Sequence, residues 1–84
     1  MTLEQKQIAL GLQACIMLPG SFDKRISKKW ADMVKETPDR DMTAEGWNYM
    51  RHLLYKYRNQ LGAIYESNKT LARNIKLEKK FNWV

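Results

Sequence analysis

Cysteine, histidine and acidic side chains are scarce in this 84-residue chain. With Cys15 as the one cysteine, no intramolecular disulfide can form. His52 is the one histidine, and together with Cys15 it falls short of the roughly four Cys or His ligands of a structural zinc site. No metal and no cofactor is therefore expected. A Cys15–His52 nucleophilic pair would lack an orienting third group, and Asp39 and Asp41 share a segment whose chemistry is that of a turn. Pro19-Gly20-Ser21 lacks both the glycine spacing and the following Lys-Ser/Thr of a phosphate-binding loop. The expectation is a protein with no catalytic residues and no enzymatic activity. Long apolar runs are also missing: none approaches the ~18 residues that would span a bilayer. The polar start Met1-Thr2-Leu3-Glu4-Gln5 is not laid out as a signal peptide. A cytoplasmic protein without a membrane partner follows as the default.

The scarcity of acids leaves a surplus of cations. Fifteen Lys and Arg stand against 9 Asp and Glu, for a net charge of +6 and a pI near 9.6. That balance suits a polyanionic partner or an acidic protein surface. The hydrophobic share of 44% is that of a folded chain. A single domain over residues 1–84 is expected, with one modest core and no deep catalytic cleft.

Apolar periodicity and breakers divide the chain into helices, and no segment reads as a strand. A first helix is predicted over residues 3–17, capped by Thr2 with Gln5 in capping-box position, with Leu3, Ile8, Leu12, Cys15 and Ile16 on one face. Gly11 interrupts it and offers a close approach. Pro19-Gly20 stops it. Ser21 caps a second helix over 22–36, whose core stripe is Phe22, Ile26, Trp30, Met33 and Val34. Pro38 breaks the chain again, and Asp41 or Thr43 caps a third helix over 44–61. Trp47, Met50, Leu53, Leu54, Tyr57 and Leu61 form its stripe, the strongest periodic signal present. A weaker fourth helix is predicted over 63–80 from Ile64, Leu71 and Ile75. The fold class is all-α, a small single-domain bundle of three to four helices.

Two polar faces stand beside these stripes. On the second helix Lys24, Lys28 and Lys35 cluster within about 40° on a wheel of roughly 100° per residue, with Arg25 and Lys29 on the flank. Such a cluster suits phosphate contacts, because neutralised phosphates release counterions. It equally suits a plain solvated face, with Asp32 and Glu36 partly neutralising it. On the third helix Asn48, His52, Tyr55 and Asn59 make a polar row bordered by Arg51 and Arg58. Asn and Arg can read base edges or grip phosphate, and Tyr and His can stack on bases. The short glycine-containing connection between the first two helices has the look of a helix-turn-helix, which would make the second helix the reader. The longer linker with Pro38 fits that motif less well, and the two candidate surfaces stay open at this point.

The segments Pro19-Gly20-Ser21-Phe22-Asp23-Lys24-Arg25, Met42-Thr43 and Tyr55-Lys56-Tyr57-Arg58-Asn59-Gln60-Leu61 resemble small, largely uncharacterised accessory proteins of bacteriophages and prophages. In those a gSxdKR element precedes an LTxxQ…YRxQ helix. The resemblance covers residues 19–61 and departs from the pattern at Gly46, where Gln is expected. It implies a phage accessory setting in a host cytoplasm, where compact basic helical proteins bind nucleic acid or modulate host machinery. Lys24, Arg25, Tyr57, Arg58 and Gln60 would be its signature positions. Packing is the first job of Tyr57, and an ion pair of Arg58 with Asp23 or Glu45 competes with a ligand contact.

The leading expectation is DNA or RNA binding through Lys24, Arg25, Lys28, Lys29, Asn48, Arg51, His52, Tyr55 and Arg58. The alternative is a protein-binding module acting on a host enzyme or defence complex, with Tyr49, Tyr55, Tyr65 and Trp83 as exposed aromatic anchors. A third reading is self-association through Ile64, Leu71, Ile75 and Phe81.

Overall fold

Hydroxyl side chains open the first three helices. In the computed structural model, which describes residues 1–67, Thr2 opens α1 (Leu3–Ala14), Ser21 opens α2 (Phe22–Glu36) and Thr43 opens α3 (Ala44–Lys56). The Thr2 hydroxyl accepts from the Gln5 amide at 3.1 Å, and the Gln5 side chain accepts from the Thr2 amide at 2.9 Å. Ser21 accepts from Lys24 N–H and Thr43 from Gly46 N–H. Each cap satisfies a first-turn donor that the helix itself cannot. Thr43, rather than Asp41, is the cap of α3. A fourth helix, α4 (Arg58–Ser67), follows α3 after a single non-helical residue. Among the described residues the fold is all-α, with no strand.

The core lies around α1, which packs on all three other helices. Ile8, Leu12, Met50, Leu53 and Leu61 are fully buried, with Trp30, Leu54 and Tyr65 almost so. Gly11 permits the closest approach. A Cβ there would overlap the Tyr65 hydroxyl and stand 3.0 Å from Leu61 Cδ2. The Tyr65 hydroxyl donates to the Gln7 carbonyl at 3.1 Å, one turn earlier on α1.

Several expectations are corrected. α1 ends at Ala14, not at residue 17, because Cys15 turns extended. The reason is tertiary: the Gln60 side chain accepts from Ile16 N–H at 2.7 Å and donates to Ile16 O at 3.0 Å. Those bonds replace helical ones. Ile16 is consequently exposed, Leu3 is exposed at the start of α1, and the buried face of α1 runs through Ile8, Ala9, Gly11 and Leu12. Phe22 is also exposed, although its ring meets Tyr49 edge-on at 5.5 Å. The helix expected over 44–61 is broken at Tyr57, and the break lets Leu61 and Tyr65 reach α1. The Tyr55 carbonyl at the break accepts from Arg58 Nη1 at 2.9 Å. Gly62 lies inside α4 and ends nothing. The remainder of the fourth predicted helix, with Leu71, Ile75, Phe81 and Trp83, lies outside the described residues.

Candidate nucleic-acid interface

Two of the three segments that carried the resemblance meet at one buried acid. Asp23 follows the Ser21 cap and, on α2, shares the inward face with Trp30 and Val34, so its carboxylate points inward and is only 8% exposed. Oδ1 accepts from the Tyr49 hydroxyl at 2.6 Å. Oδ2 accepts from the Lys56 ammonium at 2.6 Å and the Tyr57 hydroxyl at 2.9 Å. The Lys56 ammonium and the tyrosine hydroxyls hold the Asp23 carboxyl well below the usual range, at about 2. The same bond pushes the Lys56 ammonium up, and bonding to Asp23 pushes the Tyr49 hydroxyl up. The Tyr57 hydroxyl is pushed up first by burial and then by Asp23. This cluster joins α2 to the far end of α3. It is a structural tie, and its ion-pair partner is Lys56 rather than Arg58. Gln60 is likewise committed, to the Ile16 backbone.

The cations beside Asp23 are placed differently. Lys24, Arg25, Lys28 and Lys29 are all exposed, and none forms an ion pair with a described residue. Lys24, Arg25 and Lys28 line a groove of about 400 Å³ between α2 and the end of α1. Its other walls are Leu12, Gln13, Cys15, Met17, Gly20 and Ser27. Arg25 and Lys28 also line a second, shallower depression of about 430 Å³, which adds Lys29 and Arg40. Asp32 and Glu36 stand at that far end, so the surface is most positive near the start of α2. Arg40 was not singled out from the sequence, because its loop carried no periodic signal.

On α3, Asn48, Arg51, His52 and Tyr55 are exposed. The Arg51 guanidinium lies 4.8 Å from the Trp47 ring, and that of Arg58 lies 4.2 Å from the Tyr55 ring. Arg58 is half-buried, and Asn59 continues the row on α4. The His52 ring packs 5.7 Å from Tyr49. Between the α2 cations and the α3 row lies the seam of Phe22, Asp23 and Tyr49. The structure therefore groups Lys24, Arg25 and Lys28 around one groove, sets Lys29 at the second depression, and leaves the α3 residues as a neighbouring surface.

Other expectations change here. The connection from Cys15 to Ser21 is longer than the about 3–4-residue turn of a helix-turn-helix. Of the tyrosines expected as exposed anchors, Tyr55 is exposed, Tyr49 is half-buried and bonded to Asp23, and Tyr65 is core. The Cys15 thiol is buried, donates to the Gly11 carbonyl, and is pushed up to about 11 by burial. Among the described residues no three His, Cys, Asp or Glu side chains converge, and no helix is long and apolar enough to cross a membrane. No family model, curated protein or solved structure matches the chain.

Proposed function

We propose that this protein binds nucleic acid, with the α2 cations gripping phosphates. One observation carries the reading: Lys24, Arg25, Lys28 and Lys29 are exposed together and none forms an ion pair with a described acid, with Asp32 and Glu36 standing only at the far end of the patch. A cation already paired internally must give up that partner to meet a phosphate. An unpaired one gains the entropy of counterion release outright. The α3 residues Asn48, Arg51, His52 and Tyr55 lie on the neighbouring surface beyond the Phe22–Tyr49 ring contact and would meet a ligand that crosses it. Arg58 would serve mainly by supporting the Tyr55 ring. The proposal assigns no catalysis. A phage or prophage accessory role in a host cytoplasm is part of it and rests on the sequence motifs.

A protein-binding module is the second reading. It is favoured by Ile16 and Leu18, which are 84% and 75% exposed in the segment beside the basic groove. Exposed apolar side chains next to charge mark interaction surfaces.

Fluorescence anisotropy of labelled DNA and RNA oligonucleotides across a salt series tests the proposal. Affinity should fall steeply with salt, with a log–log slope near −0.9 for each duplex phosphate contacted. The double variant Lys24→Glu/Lys28→Glu should weaken binding to every sequence alike and flatten the slope by about 1–2. Absence of binding at low salt would overturn the reading and direct attention to a protein partner.

A further inference from the structure

Gripping a phosphate backbone calls for a charged ridge. The groove at the start of α2 is something else. Its cations form a rim, and its floor is apolar: Cys15 and Met17 line it and keep 8% and 7% exposure, with the fully buried Leu12 behind them. We propose that this groove is a subsite for one unpaired nucleotide of a single-stranded nucleic acid. The base lies against Met17 and Cys15, and its flanking phosphates meet Lys24, Arg25 and Lys28. The inference rests on the nucleic-acid reading and adds strandedness to it.

Three features support it. The first is charge complementarity around an apolar surface. A phosphate gains nothing from an apolar floor and loses hydration against it. A nucleotide carries a flat base with weakly hydrated faces beside an anion, which matches floor and rim together. Lys24 and Lys28 stand one helical turn apart, about 6 Å along the axis, so both can attend one nucleotide's neighbours. The second is the floor's chemistry. Met17 Sδ and Cys15 Sγ are polarisable, and sulfur makes favourable contacts with aromatic rings. The third is preorganisation. The Ser27 hydroxyl donates to Met17 Sδ at 3.7 Å, Cys15 Sγ donates to Gly11 O at 3.5 Å, and Gln60 clamps the intervening Ile16 through both backbone groups. A floor fixed before binding loses little entropy on binding. The volume of about 400 Å³ admits one nucleotide. A paired, stacked base cannot enter, so duplexes are restricted to the rim. Among the described residues no aromatic ring lines the groove, so the subsite accepts every base with similar affinity.

Oligonucleotides of equal length and charge test this on the full chain: single strands of each base, a strand of abasic sugar-phosphate units, and a duplex. Anisotropy at fixed moderate salt should show single strands bound about tenfold more tightly than the abasic strand, as the loss of a base contact predicts. The duplex should resemble the abasic strand. Met17→Ala, with its fold verified by circular dichroism, should abolish that difference and leave abasic binding unchanged. Gln13→Glu, an exposed change that places an anion at the groove, should weaken single-strand binding without touching the core. Equal binding of normal and abasic strands would overturn the subsite and leave nucleic-acid binding standing. No binding of any oligonucleotide at low salt would remove both. Displacement by a Glu/Leu peptide of matching charge, as effective as the single strand, would overturn the subsite in favour of an acidic protein segment.

Discussion

Asp23 is a buried carboxylate in a protein short of carboxylates, and three donors converge on its two oxygens. Hydrogen bonds to a charged group stabilise by roughly 1.5–3 kcal/mol, whereas a pair open to solvent contributes less than about 1 kcal/mol. Lys56 is 52% exposed, so the tyrosine bonds dominate. Urea unfolding should show Asp23→Asn losing about 2–3 kcal/mol and Lys56→Gln losing much less, its ammonium being largely solvated. The folded carboxyl at about 2 lies below its ordinary value of 3.8. The stabilisation is therefore complete above 3.8 and is lost as pH falls through that value toward 2. Thermal unfolding followed between those limits should show the wild type declining more steeply than Asp23→Asn. Two glycines make a second contrast at this scale. Adding a methyl in a helix gains up to about 1 kcal/mol of propensity. At Gly62 no described residue lies within 4 Å, so Gly62→Ala should stabilise by up to about that amount. At Gly11 the methyl meets Tyr65 and Leu61, and overpacking at about 1–3 kcal/mol outweighs the gain. Gly11→Ala should destabilise, and thermal melts of the two variants should move in opposite directions.

Among the elements, α2 was the most legible and α1 the least. The α2 limits follow from Ser21 and from Pro38, whose ring forbids helix just before it. The end of α1 has no such local cause. Leu12, Cys15 and Ile16 continue a plausible stripe, and helix stops only because Gln60, 44 residues later, takes the Ile16 backbone. The bend at Tyr57 is similar: the stripe Leu53, Leu54, Tyr57, Leu61 runs through it, yet Tyr57 reaches Asp23 while Leu61 must reach α1. One straight helix cannot serve both. Gln60→Ala should cost about 1–2 kcal/mol, two partly exposed hydrogen bonds. Hydrogen exchange should localise the loss to the Ile16 amide, with faster exchange there than in the α2 amides. An unchanged Ile16 rate would refute the clamp.

For the molecule as a whole, charge should act on stability and on the proposed oligonucleotide binding with opposite signs. A net charge of +6 repels itself, and salt screens that repulsion. Moderate salt should therefore raise the unfolding temperature slightly while weakening oligonucleotide binding severalfold. Parallel melts and anisotropy titrations check the divergence. Sequence by itself determined the helical class, the starts of three helices and the exposure of Lys24, Arg25, Lys28 and Lys29. Those depend on hydroxyl caps, breakers and a 3.6-residue period, which are local. Only the tertiary structure decided that Asp23, Tyr57 and Gln60 are ties, that Tyr49 and Tyr65 face inward, and that the α2 cations rim an apolar groove while the α3 row stays outside it. Each of those facts joins residues distant in the chain, and a buried acid or a clamped loop follows from the partner that packing brings to it.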